Sequence, residues 1–345
     1  MREGIAFLAF TGRGEALAEK LAGMLGGETA RAGRDLDLGN WTEAAFREKR
    51  ALVYVGAVGI AVRAIAPFLG HKAEDPAVLA VDETGRWVIP LLSGHLGGAN
   101  ALARELASLT GGEAVITTAT DLHGVFAVDL WAKQQNMAVR QPERIRTVSA
   151  KLLAGQMIRL DCRWEIRGAA PENVLLAPQT DAAPEKEIPD AEHGTDPDVL
   201  VDYRDAACTA LQLVPRILHL GIGCRKGTGE EALEAGLGRF CRERGILPEA
   251  IRSAASIDLK RGEDGLLRFC REHGWPVRFY TAEELNRAEG SFSGSEFVRS
   301  AAGVDNVCER AAVLKSGGKL TETKYAHNGV TFALAEEQAG FDWSW

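Results

Sequence analysis

At 345 residues, against about 150 for a typical domain, the chain is long enough for two or three domains with cores of their own. Hydrophobic residues at 46% and charged residues at 26% match an ordinary globular protein and exclude a disordered, collagenous or coiled-coil chain. A formal net charge of -8 lacks the basic footprint that phosphate backbones select, which sets nucleic acid aside as a partner.

The first apolar run, Gly4 to Phe10, is short and lacks the cleavage pattern of a secretion signal, so it reads as a β-strand. Apolar runs follow at Ala51 to Val55, Ala77 to Val81, Trp87 to Leu92 and Glu113 to Thr117. They alternate with segments such as Glu15 to Leu25 and Ala99 to Leu109, where apolar residues recur at three and four, and the alternation is that of an α/β domain. The most apolar stretches, Ala51 to Val62 and Trp87 to Ala103, are interrupted by Gly, Pro, Ser, His and Asn, so no membrane span is expected.

Residues 178–198 carry seven acidic residues, one Lys and four of the twelve prolines. Burial cannot repay the ordering entropy of such a segment, and a flexible insert is expected there. It sits within a weakly patterned region, which puts boundaries near 140 and 215. The expected architecture is α/β: two α/β domains, 1–140 and 215–345, joined by a smaller, less regular α/β segment at 141–214.

After Arg216, strands at Ile217 to Ile222, Ser253 to Ile257 and Val277 to Tyr280 each precede a helical segment. Three S/T-x-x-E spacings, Thr228 with Glu231, Thr281 with Glu284 and Ser293 with Glu296, predict capping boxes at helix starts. Lys319 to Ala335 reads as a hairpin turning at Asn328-Gly329. Cys162, Cys208, Cys224, Cys241, Cys270 and Cys308 include no C-x-x-C pair, so reduced thiols, a cytoplasmic location and no metal site are expected.

Two glycine-rich loops carry the candidate chemistry. In GIGCRKGTGEE, Gly221 to Glu231, an apolar strand runs into glycines, Arg225 and Lys226, and then a helix. Gly221, Gly223 and Gly227 permit close approach and positive φ, a helix N-terminus favours negative charge, and the two cations add charge-assisted bonds to a carboxylate or phosphate. Lys226 is followed by Gly227 and Thr228, which fits neither the Walker order nor the dinucleotide fingerprint and disfavours a nucleotide-dependent enzyme. A tight turn with solvated charges accounts for the same residues.

In LLSGHLGGANALARELA, Leu91 to Ala107, Ser93, Gly94, Gly97 and Gly98 present His95 ahead of a helix that carries Asn100. An imidazole with an ordinary pKa of about 6.5 takes and returns a proton near neutrality, although a solvated or capping histidine suits the loop equally. Ser93 lacks the G-x-S-x-G elbow and is expected to bond the loop backbone. Asp121 and His123, in TTATDLHG, follow a strand at the carboxyl end where α/β sheets place sites; Asp121 also suits an N-cap. Lys260, Glu309 and Lys324 are weaker candidates, since Glu309 lies three residues after Asn306 and suits a helix start.

Several long strings resemble the CbiG family, the cobalt-precorrin-5A hydrolases of anaerobic cobalamin biosynthesis. They are VGAVGIAVRAIAPFL, DPAVLAVDETGRWVIPLLSGHLGGANALA and ATD in the first half, and GIGCRKGT, SAASIDLK, GVDNVCERAAVL and GVTFALA from Leu218 onward. The resemblance implies an enzyme that opens the ring A lactone of cobalt-precorrin-5A and expels acetaldehyde, giving cobalt-precorrin-5B. It implies a cobalt tetrapyrrole rich in acetates and propionates as substrate and no cofactor of the protein's own, because cobalt arrives in the substrate. It also leaves room for transient contact with other enzymes of the pathway.

On that footing His95 is the expected base, Asp121 its orienter, and Lys226 with loop N–H groups the stabiliser of oxyanion charge. Ser93, Gly94, Gly97, Gly98, Asn100, Gly221, Gly223, Cys224, Arg225, Gly227, Thr228, Lys260 and Glu309 complete the expected substrate site. A non-catalytic corrinoid carrier is the competing expectation, because the C-terminal part also resembles free-standing proteins of the pathway.

Overall fold

The computed structural model describes residues 4–33, 36–70, 75–95, 97–177, 196–206 and 209–345. The chain falls into two compact units, Met1–Leu130 and Trp131–Trp345. In the first, β1 (Ile5–Ala9), α1 (Gly12–Leu25), β2 (Glu28–Arg31), α2 (Leu38–Glu48), β3 (Ala51–Val55), α3 (Val58–Ile65) and β4 (Ala77–Val81) are followed by β5 (Trp87–Leu92), α4 (Ala99–Thr110), β6 (Glu113–Ala114) and α5 (Ala119–His123); α6 (Val128–Gln134) comes next. The sheet order is β2-β1-β3-β4-β5-β6.

Every residue of β1, β3 and β4 is buried, because helices cover both faces of these parallel strands. Phe7, Val53 and Leu79 pack with Leu21 of α1 and Leu106 of α4, whereas Leu8, Leu52 and Tyr54 pack with Phe46 of α2 and Ile65 of α3. Two-sided burial explains why these strands read as unbroken apolar runs. The strand direction then changes. β5 is antiparallel to β4, with Leu92 opposite Val78, and β6 is parallel to β5. The segments after β5 and β6 therefore leave on the edge where β1, β3 and β4 begin. This corrects the expected placement of Asp121: it follows the carboxyl end of its own strand but lies at the amino edge of the main parallel set.

The second unit contains β7 (Met137–Val139), α7 (Ile145–Leu153), β8 (Ile158–Cys162), β9 (Ile166–Arg167), β10 (Val174–Leu176), β11 (Val199–Val201) and β12 (Leu211–Pro215). One sheet has the order β10-β8-β11-β12-β7. A boundary at 140 would leave β7 with the first domain, yet it pairs with β12. Most of the acidic insert, residues 178–195, and Cys208 lie outside the described residues. At the insert's end, Asp198 accepts from Lys151 Nζ at 2.5 Å and from Arg159 N at 2.9 Å.

The remaining elements are β13 (Leu218–Cys224), α8 (Glu230–Arg244), β14 (Ile251–Ile257), α9 (Asp264–Glu272), β15 (Val277–Tyr280), α10 (Ala282–Asn286), α11 (Glu296–Ala302), α12 (Cys308–Ser316), β16 (Lys319–His327), β17 (Val330–Glu336) and β18 (Phe341–Asp342). Their main sheet has the order β15-β14-β13-β17-β16, and β18 pairs with β9. Asn328 and Gly329, at φ 46 and 84, form the turn between β16 and β17; two successive left-handed residues are what a primed hairpin turn requires. Trp164 Nε1 and Tyr203 OH both donate to Glu336 at the end of β17, at 2.7 and 2.9 Å.

Of the three predicted capping boxes, Thr281 with Glu284 forms in full. The other two are corrected. α8 starts after Gly229 and the Thr228 hydroxyl donates to Arg225 O, while α11 is capped by Ser295. No helix among the described residues is long and apolar enough to cross a membrane.

Candidate functional site

Candidate chemistry is present in each unit. In the first, Ser93 leaves β5 at φ 56 and its hydroxyl donates to Asp75 O at 3.0 Å. A Cβ on Gly94 would meet Asn100 Oδ1 at 2.8 Å and one on Gly97 would meet Ser93 Cβ at 2.3 Å. Gly98 caps α4 at φ 85. These glycines let the loop fold against itself, and the fold delivers His95 to a cluster of acids.

His95 Nε2 lies 2.7 Å from Asp121 Oδ2 and 3.0 Å from Thr120 Oγ1, and its Nδ1 lies 3.4 Å from Asp129 Oδ2. Asn100 Nδ2 donates to Asp121 Oδ2 at 2.9 Å and Arg104 donates to Asp121 Oδ1 at 2.6 Å. The His95 and Asp121 side chains are 14% and 10% exposed. The bond to Asp129, opposed by burial and reinforced by Asp121, raises His95 above its ordinary pKa. Burial works against the charge of Asp121, but Arg104 and His95 hold it below the usual carboxylate range. With a carboxylate at each ring nitrogen, the cluster favours imidazolium.

Sequence reasoning missed Asp129. It lies in VFAVDLW, where it resembles a helix-face acid, and it meets His95 only through packing. His123 ends α5 exposed and stays outside the cluster.

In the second unit a cavity of about 820 Å³ opens where β13 and β14 end and the β16–β17 hairpin turns. Gly223, Cys224, Arg225, Lys226 and Lys260, all expected at the site, line it together with Lys324. Ile257, Val298 and Val307 supply apolar wall. Among the described residues the side chains of Arg225, Lys226 and Lys324 make no hydrogen bond or ion pair. Lys260 Nζ, in contrast, is 3.1 Å from Glu263 Oε1, and Gly227 N donates to Glu263 Oε2 at 2.7 Å. The Gly227 amide, with burial opposing and Lys260 assisting, holds Glu263 below the carboxylate range. An internal carboxylate therefore occupies the amide that the loop pattern offered to an anion. Burial pushes the Cys224 thiol up, keeping it neutral.

Besides Gly227, whose amide Glu263 takes, three expected contact residues serve the fold instead of lining the cavity. A Cβ on Gly221 would come 1.7 Å from Cys308 O, so this glycine admits α12 against β13. Thr228 bonds Arg225 O. Glu309 is 0% exposed, and its carboxylate bonds inside the protein.

Residues 40–121 match the family described as cobalamin synthesis G N-terminal, and residues 218–335 match cobalamin synthesis G C-terminus. The chain is 36% identical over 354 aligned residues to a cobalt-precorrin-5A hydrolase of Salmonella typhimurium, spanning 96% of this chain and 97% of the relative. A cobalt-precorrin-5A hydrolase of Priestia megaterium is 30% identical, with 84% and 79% covered. Protein CobE of a Sinorhizobium species is 31% identical over 121 residues, 34% of this chain and 79% of that protein.

Proposed function

This chain belongs to the cobalt-precorrin-5A hydrolase (CbiG) family, and from that premise we propose that it opens the ring A lactone of cobalt-precorrin-5A and releases acetaldehyde. The reading is carried by identity of 36% that runs across 96% of the chain, so the match is to a whole enzyme and takes in both candidate sites.

The substrate is a polycarboxylate, and the cavity of the second unit suits it. Among the described residues the side chains of Arg225, Lys226 and Lys324 stand unpaired beside an apolar wall, so an acidic protein presents concentrated positive charge where acetates and propionates would bind. A charge-assisted bond contributes roughly 1.5–3 kcal/mol. Cobalt enters with the macrocycle, the protein needs no cofactor of its own, and the reaction takes place in the cytoplasm, with room for passing contact with neighbouring enzymes of the pathway.

Water adds to the lactone carbonyl carbon, the ring C–O bond breaks and the released oxygen takes a proton. The freed secondary hydroxyl then loses its proton, the adjacent carbon–carbon bond breaks, acetaldehyde leaves and the electron pair enters the macrocycle. His95 is the proton carrier: as imidazolium it donates, and as neutral imidazole it accepts. Asp121 and Asp129 stabilise the imidazolium and orient the ring. Lys226 stabilises developing negative charge.

Anaerobic incubation of the purified protein with cobalt-precorrin-5A tests the proposal. Release of acetaldehyde with the matching loss of mass supports it. A shifted visible spectrum without aldehyde would replace the hydrolase with a corrinoid carrier.

A further inference from the structure

We propose that Glu309 is a positioning residue that sets Lys324 as a carboxylate anchor in the cavity of the second unit, an inference that rests on that cavity's holding the substrate. Glu309 sits in the first turn of α12 and is 0% exposed. Its Oε2 accepts from Ser293 N and Asn306 Nδ2, each at 2.7 Å, and its Oε1 accepts from Ser293 Oγ at 3.0 Å and Lys324 N at 2.6 Å. Four donors occupy the lone-pair directions of the carboxylate, which makes its burial tolerable and leaves none for a ligand. The bonds tie together the segment leading into α11, the start of α12 and the edge strand β16.

The tie acts where β16 is irregular. Glu322 pairs with Leu334 and Tyr325 with Phe332, so β16 carries one more residue than β17 across this interval. Such a bulge re-aims side chains. Tyr325 packs on Phe240 of α8, with ring centroids 5.2 Å apart, while neighbouring Lys324 lines the cavity. Glu309 takes the Lys324 amide within the bulge and holds that backbone turn against α12. The ammonium group remains free of any ion pair among the described residues, ready for a substrate carboxylate.

Glu309→Gln should release this turn selectively. Asn306 Oδ1 already accepts from Glu309 N at 2.9 Å, so its Nδ2 stays turned toward the side chain at 309. The single oxygen of glutamine remains on that side, and its NH₂ then faces the Lys324 N–H, donor against donor.

The experiment is a double-mutant cycle in steady-state kinetics on cobalt-precorrin-5A with wild type, Glu309→Gln, Lys324→Met and the double variant. Each single change should raise KM about tenfold and leave kcat within about twofold, as expected when an anchor common to ground and transition states is removed. The double variant should be no worse than Lys324→Met, because both changes remove one interaction. Independent effects that multiply to about a hundredfold, or a wild-type KM in Lys324→Met, would overturn the proposal while acetaldehyde release by the wild type left the hydrolase reading intact. Should the wild type release none, the hydrolase reading fails, and the same cycle read as Kd from the pigment's visible spectrum decides the anchor. If Glu309→Gln does not fold, Glu309→Asp, one methylene shorter, takes its place in the same cycle.

Discussion

The His95 cluster and the cavity of the second unit use charge in opposite ways. Both nitrogens of His95 and both oxygens of Asp121 face protein partners, whereas the side chains of Arg225, Lys226 and Lys324 have no bonding partner among the described residues. They also differ in position. The cavity lies at the carboxyl ends of β13 and β14, as α/β sheets usually place a ligand; the cluster lies at the amino edge of β1, β3 and β4, brought there by the reversed direction of β5. Saturating a group with partners sets its protonation state, while leaving cations unsatisfied reserves them for a ligand. One site is therefore suited to moving protons and the other to holding anions.

The largest test of this contrast is His95→Asn, which should lower kcat by about a hundredfold to ten-thousandfold with KM nearly unchanged; a wild-type kcat would remove the cluster from catalysis. Arg225→Ala should behave in the opposite sense, raising KM by roughly tenfold to a hundredfold, and Lys226→Ala should raise KM and lower kcat as well, because Lys226 also stabilises charge that develops in the transition state. Their KM should also depend less on ionic strength than that of the wild type, because fewer exposed charges remain to be screened.

Asp129→Asn addresses the link between the cluster and pH. If neutral His95 is the working base, kcat of the wild type rises as pH passes through its raised pKa, and removal of Asp129, the largest cause of that rise, shifts the limb to lower pH. Stability follows the same group. His95 holds its proton more tightly when folded, so its contribution is complete below the unfolded value of about 6.5 and is lost as pH rises through the folded value. Tm measured against pH should show a flatter alkaline fall in Asp129→Asn. The smallest effect is expected at Gly227, which has φ +74 and open space where a Cβ would stand. Gly227→Ala should cost about 1 kcal/mol through backbone strain alone and lower Tm by a few degrees, with KM unchanged because the amide still faces Glu263.

Local chemistry is legible in the sequence where neighbours along the chain decide the outcome. Asn328-Gly329 predicts the hairpin because few residue pairs accept two left-handed conformations, and Thr281 caps its helix because Glu284 is positioned to reciprocate. Thr228 and Ser293 carry the same spacing and start no helix. Their hydroxyls bond Arg225 O and Glu309 instead, acceptors supplied by the surrounding fold. His95 and Asp121 both stand out from their loops, yet their 2.7 Å contact depends on two parallel strands delivering those loops to one edge. Asp129 leaves no comparable trace, since nothing about an acid among apolar helix residues says that a distant imidazole will meet it.

The amino-acid sequence alone determined the α/β class, the main strands of both units, the family and the cationic loop that opens onto the cavity, because apolar periodicity, turn geometry and charge reside in short stretches of chain. Tertiary structure decided that Glu263 takes the Gly227 amide, that Glu309 is sealed inside a ring of donors and that His95 lies between two acids. Those outcomes depend on strand direction and helix packing, which bring together groups that the covalent chain keeps far apart.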